Sequence, residues 1–398
     1  MTRKRERIAR TRRWATLVAT SLALGWAVWV LSPAPWPWLA AVIVAAGLAI
    51  GHRQMIAPAG VAVLTYHSVS PDPAWLPWSR EIAVHPATFA RHLRTLRRMG
   101  VTLTGSRALT ERRCAGVPVL PGSVALHFDD GYLDNWRCAA PLLRAHDVPA
   151  TFFASLDFVD PGNGPRVEGA YDGYMNWDEL AALEADALFE VEPHGVAHAR
   201  VPTSDRVVGV LDAANWRTHA WMQWDATPGS KHDWYRRAVP EAVPLGSAIP
   251  ASGLALAEPA VRAGVRESAD ELHQRIARDL SACRDTFERR LGAAPRLFCW
   301  PENKTCAQGR VIARELGYRA TTGGKGRNTA DEPADTISRI HVNDRALGFR
   351  WLAAEALYLR AAVRLMQGNH YWYLLLAPMQ VTRRAVFATR RRFGADFA

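Results

Sequence analysis

The distribution of apolar and polar positions divides the chain into two regions with different periodicity. Residues 14–31 and 39–51 are apolar runs without a single charged residue. From Gly60 onward, short apolar runs alternate with segments in which apolar residues recur every three or four positions. Such alternation is typical of a mainly parallel sheet covered by helices. The pattern therefore predicts an apolar N-terminal region followed by an α/β domain.

The apolar runs predict a transmembrane anchor over residues 14–55. The first run has about the length needed to cross a bilayer, and the second approaches it when extended back to Trp36. Ser32–Trp38, rich in proline and tryptophan, predicts a turn at the lipid–water interface. No convincing cleavage site follows, so we expect a retained anchor, most simply a helical hairpin. Two buried helices of a soluble protein are the alternative.

The elements predicted beyond the anchor are regular enough to define a fold class. Strands are predicted over residues 61–66, 123–128, 149–154, 188–191, 296–300, 318–322 and 336–342. Helices are predicted over residues 86–99, 134–146, 177–185, 268–291 and 307–317. This order predicts an α/β fold, a distorted parallel (β/α) barrel over residues 60–345, with an insertion at about 199–265. Residues 346–398 form an apolar and basic helical extension that either lies in the membrane interface or supplies a final barrel helix.

The net charge of +11 is concentrated at the two ends of the chain. Residues 1–13 carry seven Arg or Lys against one Glu, and residues 383–398 carry five Arg against one Asp. A nucleic-acid-binding protein needs a basic surface on its folded part, so the charge favours membrane lipid as the partner and excludes nucleic acid. Residues 1–13 predict a cytoplasmic tail. A hairpin in the inner membrane then puts the domain in the cytoplasm, which we favour, whereas a single span puts it in the periplasm.

Candidate chemistry falls at the C-terminal ends of the predicted strands. Asp129 and Asp130 follow strand 123–128, and adjacent carboxylates resist joint ionisation unless a cation lies between them. His194 and His198 have the spacing that puts two imidazoles on one face of a helical turn. Two imidazoles, one carboxylate ligand and a second carboxylate acting as base are the groups of a metal hydrolase. The alternatives are an Asp-Gly turn and two surface histidines.

Further polar and aromatic residues follow other predicted strands. His67 follows the first strand, Trp300-Pro301 the fifth and His341 the last. Because the C-terminal ends of parallel strands meet at one rim of a barrel, we expect these residues to collect around the Asp129-Asp130 pair.

Several segments resemble the motifs of polysaccharide deacetylases of carbohydrate esterase family 4. The matching segments, in the order of that family, are Leu64–Val69, Phe128–Gly131, Trp177–Leu180, His194–His198 and Phe298–Pro301. The last has the form seen in poly-N-acetylglucosamine deacetylases. The chain departs from the pattern at His127, Gly195 and Glu302-Asn303, and the arginine of the third motif is not evident. These departures affect the expected substrate contacts more than the expected metal ligands.

The resemblance implies a role for each residue of these motifs. Asp130, His194 and His198 would bind a divalent metal, most often zinc with cobalt or nickel possible, and Asp129 would be the general base. His341 would protonate the leaving amine, with His67, His127 and His219 as alternatives. The residues implied in substrate binding are Tyr132, Trp177, Trp300, Pro301 and His67. The implied activity is removal of N-acetyl groups from an amino-sugar polysaccharide or glycolipid.

Three other functions fit parts of the pattern. One is deacylation or deformylation of a polyprenyl-linked sugar inside the cell, which the hairpin favours. Another is a catalytically inactive glycan-binding module, which the altered third motif allows. A non-haem iron oxygenase also uses two histidines and a carboxylate, but usually on an antiparallel barrel. The tryptophans of the insertion predict either sugar stacking or a hydrophobic lid; they are Trp216, Trp221, Trp224 and Trp234.

Overall fold

A computed structural model describes residues 3–31, 37–120 and 122–393. The α-helices are α1 (Arg3–Leu31), α2 (Pro37–Met55), α3 (Ser79–Ile82), α4 (Pro86–Arg98), α5 (Ser106–Cys114), α6 (Ala140–Ala145), α7 (Trp177–Glu184), α8 (Trp221–Ala226), α9 (Ala269–Leu291), α10 (Ala307–Glu315), α11 (Leu352–Met366) and α12 (Trp372–Phe393). The strands are β1 (Ala62–Tyr66), β2 (Val124–Phe128), β3 (Ala150–Ala154), β4 (Phe189–Pro193), β5 (Arg200–Val210), β6 (Ala248–Leu254), β7 (Val261–Arg262), β8 (Val265–Arg266), β9 (Leu297–Phe298), β10 (Ala320–Gly324) and β11 (Thr336–His341).

Seven of these strands form a nearly closed parallel barrel. Their order is β4-β3-β2-β1-β11-β10-β9, and each neighbouring pair is parallel. The amide of Cys299, just after β9, donates to the carbonyl of Pro193 at the end of β4 (3.0 Å), which links the two edges. Residues of β1, β2 and β3 are buried at every position because both faces of the sheet are covered. The predicted barrel is confirmed.

The helices cover the barrel through apolar stripes that their sequences specify. In α9, Ser268 and Glu271 form a reciprocal capping box, and the helix ends at Gly292 in the left-handed conformation (φ 79°). Its buried residues recur at helical spacing: Leu272, Ile276, Leu280, Cys283 and Phe287. In α11, Leu359, Val363 and Met366 belong to the main core cluster. The start of the C-terminal extension is therefore a barrel helix.

The insertion forms a small antiparallel ribbon with an aromatic cluster beside the barrel rim. Strands β5 and β6 pair antiparallel, and α8 packs next to them. The side chains of Trp216, Trp221 and Trp234 are 4, 6 and 3 % exposed, so most of their surface is packed against protein. Of the two interpretations of these tryptophans, the packing favours a lid.

The N-terminal helices pack against each other and contact the barrel domain. Both α1 and α2 are long and apolar enough, by length and composition, to be candidate membrane spans. The first turns of α1 contact the domain: Arg3 donates to the carbonyl of Arg339 (2.7 Å), and Glu6 lies 3.7 Å from His370. Most of the predicted interfacial turn at residues 32–38 lies outside the described residues.

Candidate active site

The turn after β2 sends its two carboxylates to different partners. Asp130 and Gly131 both adopt left-handed backbone conformations, with φ of 74° and 72°. This conformation is unusual for an aspartate and marks a constrained position of the kind found at functional sites. Asp129 is buried at 2 % exposure, whereas the Asp130 side chain is 16 % exposed and lies at a cavity. The two neighbouring carboxylates therefore occupy separate environments.

The two histidines after β4 lie on a loop and not on a helical turn, so the helical prediction for them is wrong. Gly195 and His198 both have positive φ, 82° and 44°, which no helix accommodates. The carboxylate of Asp279 in α9 accepts from the amide of Val196 (3.1 Å), and the carbonyl of Val196 accepts from the amide of Asp157 (2.8 Å). The loop is thus fixed from both sides between the two imidazoles.

This loop brings both imidazoles to Asp130. The Nε2 atoms of His194 and His198 lie 3.3 and 3.8 Å from Asp130 Oδ1, and one donor atom from each of the three residues lies within 4.8 Å of the others. His194 Nδ1 lies 2.8 Å from the carbonyl oxygen of Cys299, so Nδ1 donates and Nε2 is left as the ligand atom. One carboxylate and two neutral imidazoles fit a divalent transition metal such as zinc.

Arg339 on β11 pairs with Asp129, and sequence reasoning missed it. Arg339 Nη1 donates to Asp129 Oδ1 at 2.7 Å, with both side chains at least 95 % buried. Burial would raise the pKa of Asp129, but the charge and hydrogen bond of Arg339, with the neighbouring imidazoles of His194 and His67, outweigh burial and lower the pKa. Period-two alternation along β11 puts Arg339 on the same face as His341, so the strand pattern did hold a signal.

His67 and His341 are neighbours, but only His67 reaches the cavity. Their ring centroids are 5.0 Å apart. His67 lines the cavity with its Nε2 3.8 Å from Asp129 Oδ2. His341 donates from Nε2 to the carbonyl of Glu81 (2.8 Å) and is not among the described residues that line the cavity. The runners-up His127 and His219 lie apart: His127 is buried against Ser106, while His219 lines the cavity on the insertion side.

Three residues implied in substrate binding do not line the cavity among the described residues. Trp300 is completely buried and packs on Phe298, with ring centroids 4.7 Å apart. Trp177 packs on Phe287 of α9 (5.5 Å), and Pro301 is buried. Aromatic residues in these positions serve the core because their side chains point into the helix layer. Tyr132 and His67 do line the cavity, as does Glu302 next to Pro301.

The cavity has a volume of about 440 Å³ and opens over the Asp130–His194–His198 cluster. One part of its wall comes from the barrel rim, another from the segment before α4, and a third from the insertion. The residues contributed by the insertion include Arg200, His219, Trp221, Trp224 and Ser252. At the C-terminal rim of the barrel, the carboxylate–imidazole cluster could hold a divalent cation, and the separate buried carboxylate could act as a base in hydrolysis.

Comparisons with known proteins concern both the segment that carries the site and the fold of the domain. The model of the polysaccharide deacetylase family matches residues 117–236, which include both aspartates and both histidines. A de-N-acetylase from Aggregatibacter actinomycetemcomitans is similar in structure at 19 % identity, with a TM-score of 0.50 over 70 % of this chain and 94 % of that one. The BpsB deacetylase domain from Bordetella bronchiseptica is similar at 20 % identity, with a TM-score of 0.50 over 72 and 97 %. No protein of curated function matches.

Residues 117–236 therefore match the polysaccharide deacetylase family, in agreement with the resemblance to carbohydrate esterase family 4. The family match covers the segment that carries the candidate ligands, and the two solved structures share its fold.

Proposed function

We propose that this protein is a metal-dependent hydrolase that removes N-acetyl groups from an amino-sugar polysaccharide or glycolipid. The observation that carries the proposal is the convergence of Asp130, His194 and His198 at the cavity, with donor atoms within 4.8 Å of one another. These three residues would hold the cation, zinc in the first instance. When bound, it would supply Lewis acidity, polarising the amide carbonyl and lowering the pKa of a water molecule.

Asp129 is suited to be the general base. Arg339 occupies its Oδ1 and keeps the carboxylate ionised, while Oδ2 is directed towards His67. In the reaction, the oxygen of water adds to the acetyl carbon, the C–N bond breaks and the amine leaves with a proton. Asp129 would accept the proton that water loses. The backbone N–H groups near Gly131 and Tyr132 are our candidates for stabilising the oxyanion.

The proton for the leaving amine has two candidate carriers. His341 is the residue that the family resemblance implies, but its Nε2 is engaged by a backbone carbonyl. His67 lines the cavity beside Asp129 and is the better placed of the two. Burial lowers the pKa of His67 to about 4, with the charges of Asp129 and Asp130 opposing the shift. The ring is therefore neutral at pH 7 and would act by relaying the proton from Asp129.

The proposed function is tested by incubating the full-length protein, in detergent or nanodiscs, with candidate substrates and measuring the acetate that they release. We expect acetate from N-acetylglucosamine oligomers or lipid-linked amino sugars, loss of the activity with a chelator, and recovery with zinc, cobalt or nickel. Acetate release that is insensitive to chelation would contradict metal dependence. A protein that binds the oligomers without releasing acetate would instead be a glycan-binding module.

The packing of α1 and α2 supports a cytoplasmic location for the domain. The N-terminal end of α1 and the C-terminal end of α2 both contact the domain: Trp14 and His52 pack on Tyr371 with ring centroids 6.0 and 5.8 Å away. If both helices span the inner membrane as a hairpin, the domain lies on the same side as the N-terminus. The seven basic residues of that tail favour the cytoplasm.

A reporter fused to the C-terminus tests this topology. We expect green fluorescent protein to be fluorescent there and alkaline phosphatase to be inactive, because the phosphatase needs the periplasm to form its disulfides. Deleting residues 37–55 leaves one span, so the fluorescent-protein fusion should lose its fluorescence and the phosphatase fusion should become active. An active phosphatase fusion of the full-length chain would show that the domain faces the periplasm.

A cytoplasmic location favours a second candidate function, deacylation or deformylation of a polyprenyl-linked sugar. Such intermediates carry their sugar at the membrane surface, and the hairpin would keep the domain beside them. Formate release from an N-formylated sugar would distinguish this function from removal of acetate.

A further inference from the structure

An aromatic wall joins the insertion to the segment before α4 on one side of the cavity. Trp78 and Trp234 stack with ring centroids 5.7 Å apart and an interplanar angle of 16°. The rings of Trp75 and Tyr235 also make contact, with centroids 4.5 Å apart and a tilted interplanar angle of 55°. We call the segments 75–82 and 216–236 the aromatic wall. They are far apart in sequence and meet through these rings and the apolar side chains around them.

The wall is continuous with the barrel rim. Trp234 Nε1 donates to the hydroxyl of Tyr174 (2.9 Å), and its ring contacts Trp224 at 5.4 Å. Trp224 in turn packs edge-on against Phe158 (5.2 Å), which follows β3. At its base, Lys231 pairs with Asp157 (2.6 Å). Rings and buried hydrogen bonds therefore connect the segment before α4, the insertion and the barrel without a break.

Resting on the proposed function, we propose that the aromatic wall closes one end of the substrate site, so that the enzyme acts on a terminal N-acylated amino sugar and not on residues inside a polymer. An internal residue needs a groove that is open on both sides, because the chain continues in both directions. A cavity of about 440 Å³ is instead in the lower part of the range for sites that enclose a small ligand.

Trp78 is the residue that would recognise the terminal sugar. Its ring stacks on Trp234 and the residue also lines the cavity, so the part of the ring that Trp234 leaves uncovered could contact a pyranose ring. The polar groups that Arg200, His219 and Ser252 contribute to the cavity can meet the sugar hydroxyls. Trp234 itself does not line the cavity and acts through the position of Trp78.

The test determines which sugar of an oligomer loses its acetyl group. Reducing-end-labelled N-acetylglucosamine oligomers of increasing length are incubated with the full-length protein, and the products are sequenced by fragmentation in a mass spectrometer. We expect the wild type to deacetylate one terminal residue at every length. Trp234→Ala should loosen the aromatic wall, so that sugars inside the oligomer are also deacetylated. Trp234→Phe should still deacetylate only the terminal sugar. Trp351→Ala, at an exposed tryptophan of α11's N-terminal end, is the matched control and should leave the pattern unchanged.

Each outcome bears on one proposal only. Internal deacetylation by the wild type overturns the terminal-sugar proposal and leaves the de-N-acetylase function intact. No acetate from any oligomer or lipid-linked sugar overturns the proposed function itself. The wild-type map decides the question even if Trp234→Ala fails to fold.

Discussion

Asp129→Asn and Asp130→Asn are both expected to abolish acetate release, but only the second should abolish metal binding. Removing a general base costs about 10²–10⁴-fold in rate, and Asp129 lies outside the cluster of Asp130, His194 and His198. Asparagine keeps the shape of the side chain at each position. The measurement combines turnover with the metal content of the purified proteins.

The pair of variants serves as its own control because the two residues are adjacent and the substitution is the same. Loss of metal from the Asp129 variant would mean that this carboxylate is a ligand and that the proposed roles need revision. Near-normal turnover of Asp129→Asn would exclude it as the base. Equal thermal unfolding of both variants would show that misfolding does not explain the losses.

Arg339→Met is expected to shift the acid limb of the kcat/KM profile to higher pH. The charge of Arg339 opposes the effect of burial and holds the pKa of Asp129 below its ordinary value. Without that charge the pKa rises, and because only the ionised carboxylate accepts a proton, activity at low pH falls first. The free energy of unfolding also falls at low pH. The ion pair stabilises the fold above the unfolded-state pKa of Asp129, and this contribution is lost as the pH falls through the folded-state pKa.

The conservative variant separates the charge of Arg339 from its packing. Breaking a buried ion pair costs about 3–5 kcal/mol of unfolding free energy, so Arg339→Met is also expected to melt at lower temperature. Arg339→Lys keeps the charge and should shift the profile less. A profile that stays in place in Arg339→Met, with only stability reduced, would give Arg339 a purely structural role.

The sequence alone was enough to predict the barrel and the position of its candidate chemistry. Each predicted barrel strand has a counterpart in the structure, because a strand buried on both faces is a short continuous apolar run. The placement of Asp129 and Asp130 followed from the end of such a run. Two like charges at that position indicated a cation independently of the family resemblance.

Predictions from local sequence patterns were wrong where the same pattern is compatible with two different structures. An i, i+4 histidine pair is typical of a helix, yet positive φ at Gly195 and His198 gives the same convergence on a loop. Trp177 and Trp300 belong to family-like segments and were implied in substrate binding, but both pack in or against the core. An aromatic side chain can stack on a sugar or pack against the helices of the core, and the direction in which it points determines which of the two occurs.

What the sequence determined by itself is therefore the order of strands and helices, the two candidate spans and the residues available for metal chemistry, since each depends on neighbours along the chain. The tertiary structure decided the partners: Arg339 for Asp129, His67 as the histidine facing the cavity, and Trp234 behind Trp78. These contacts join segments far apart in sequence. They depend on which strands and loops meet at the barrel rim, which hydrophobic periodicity does not encode.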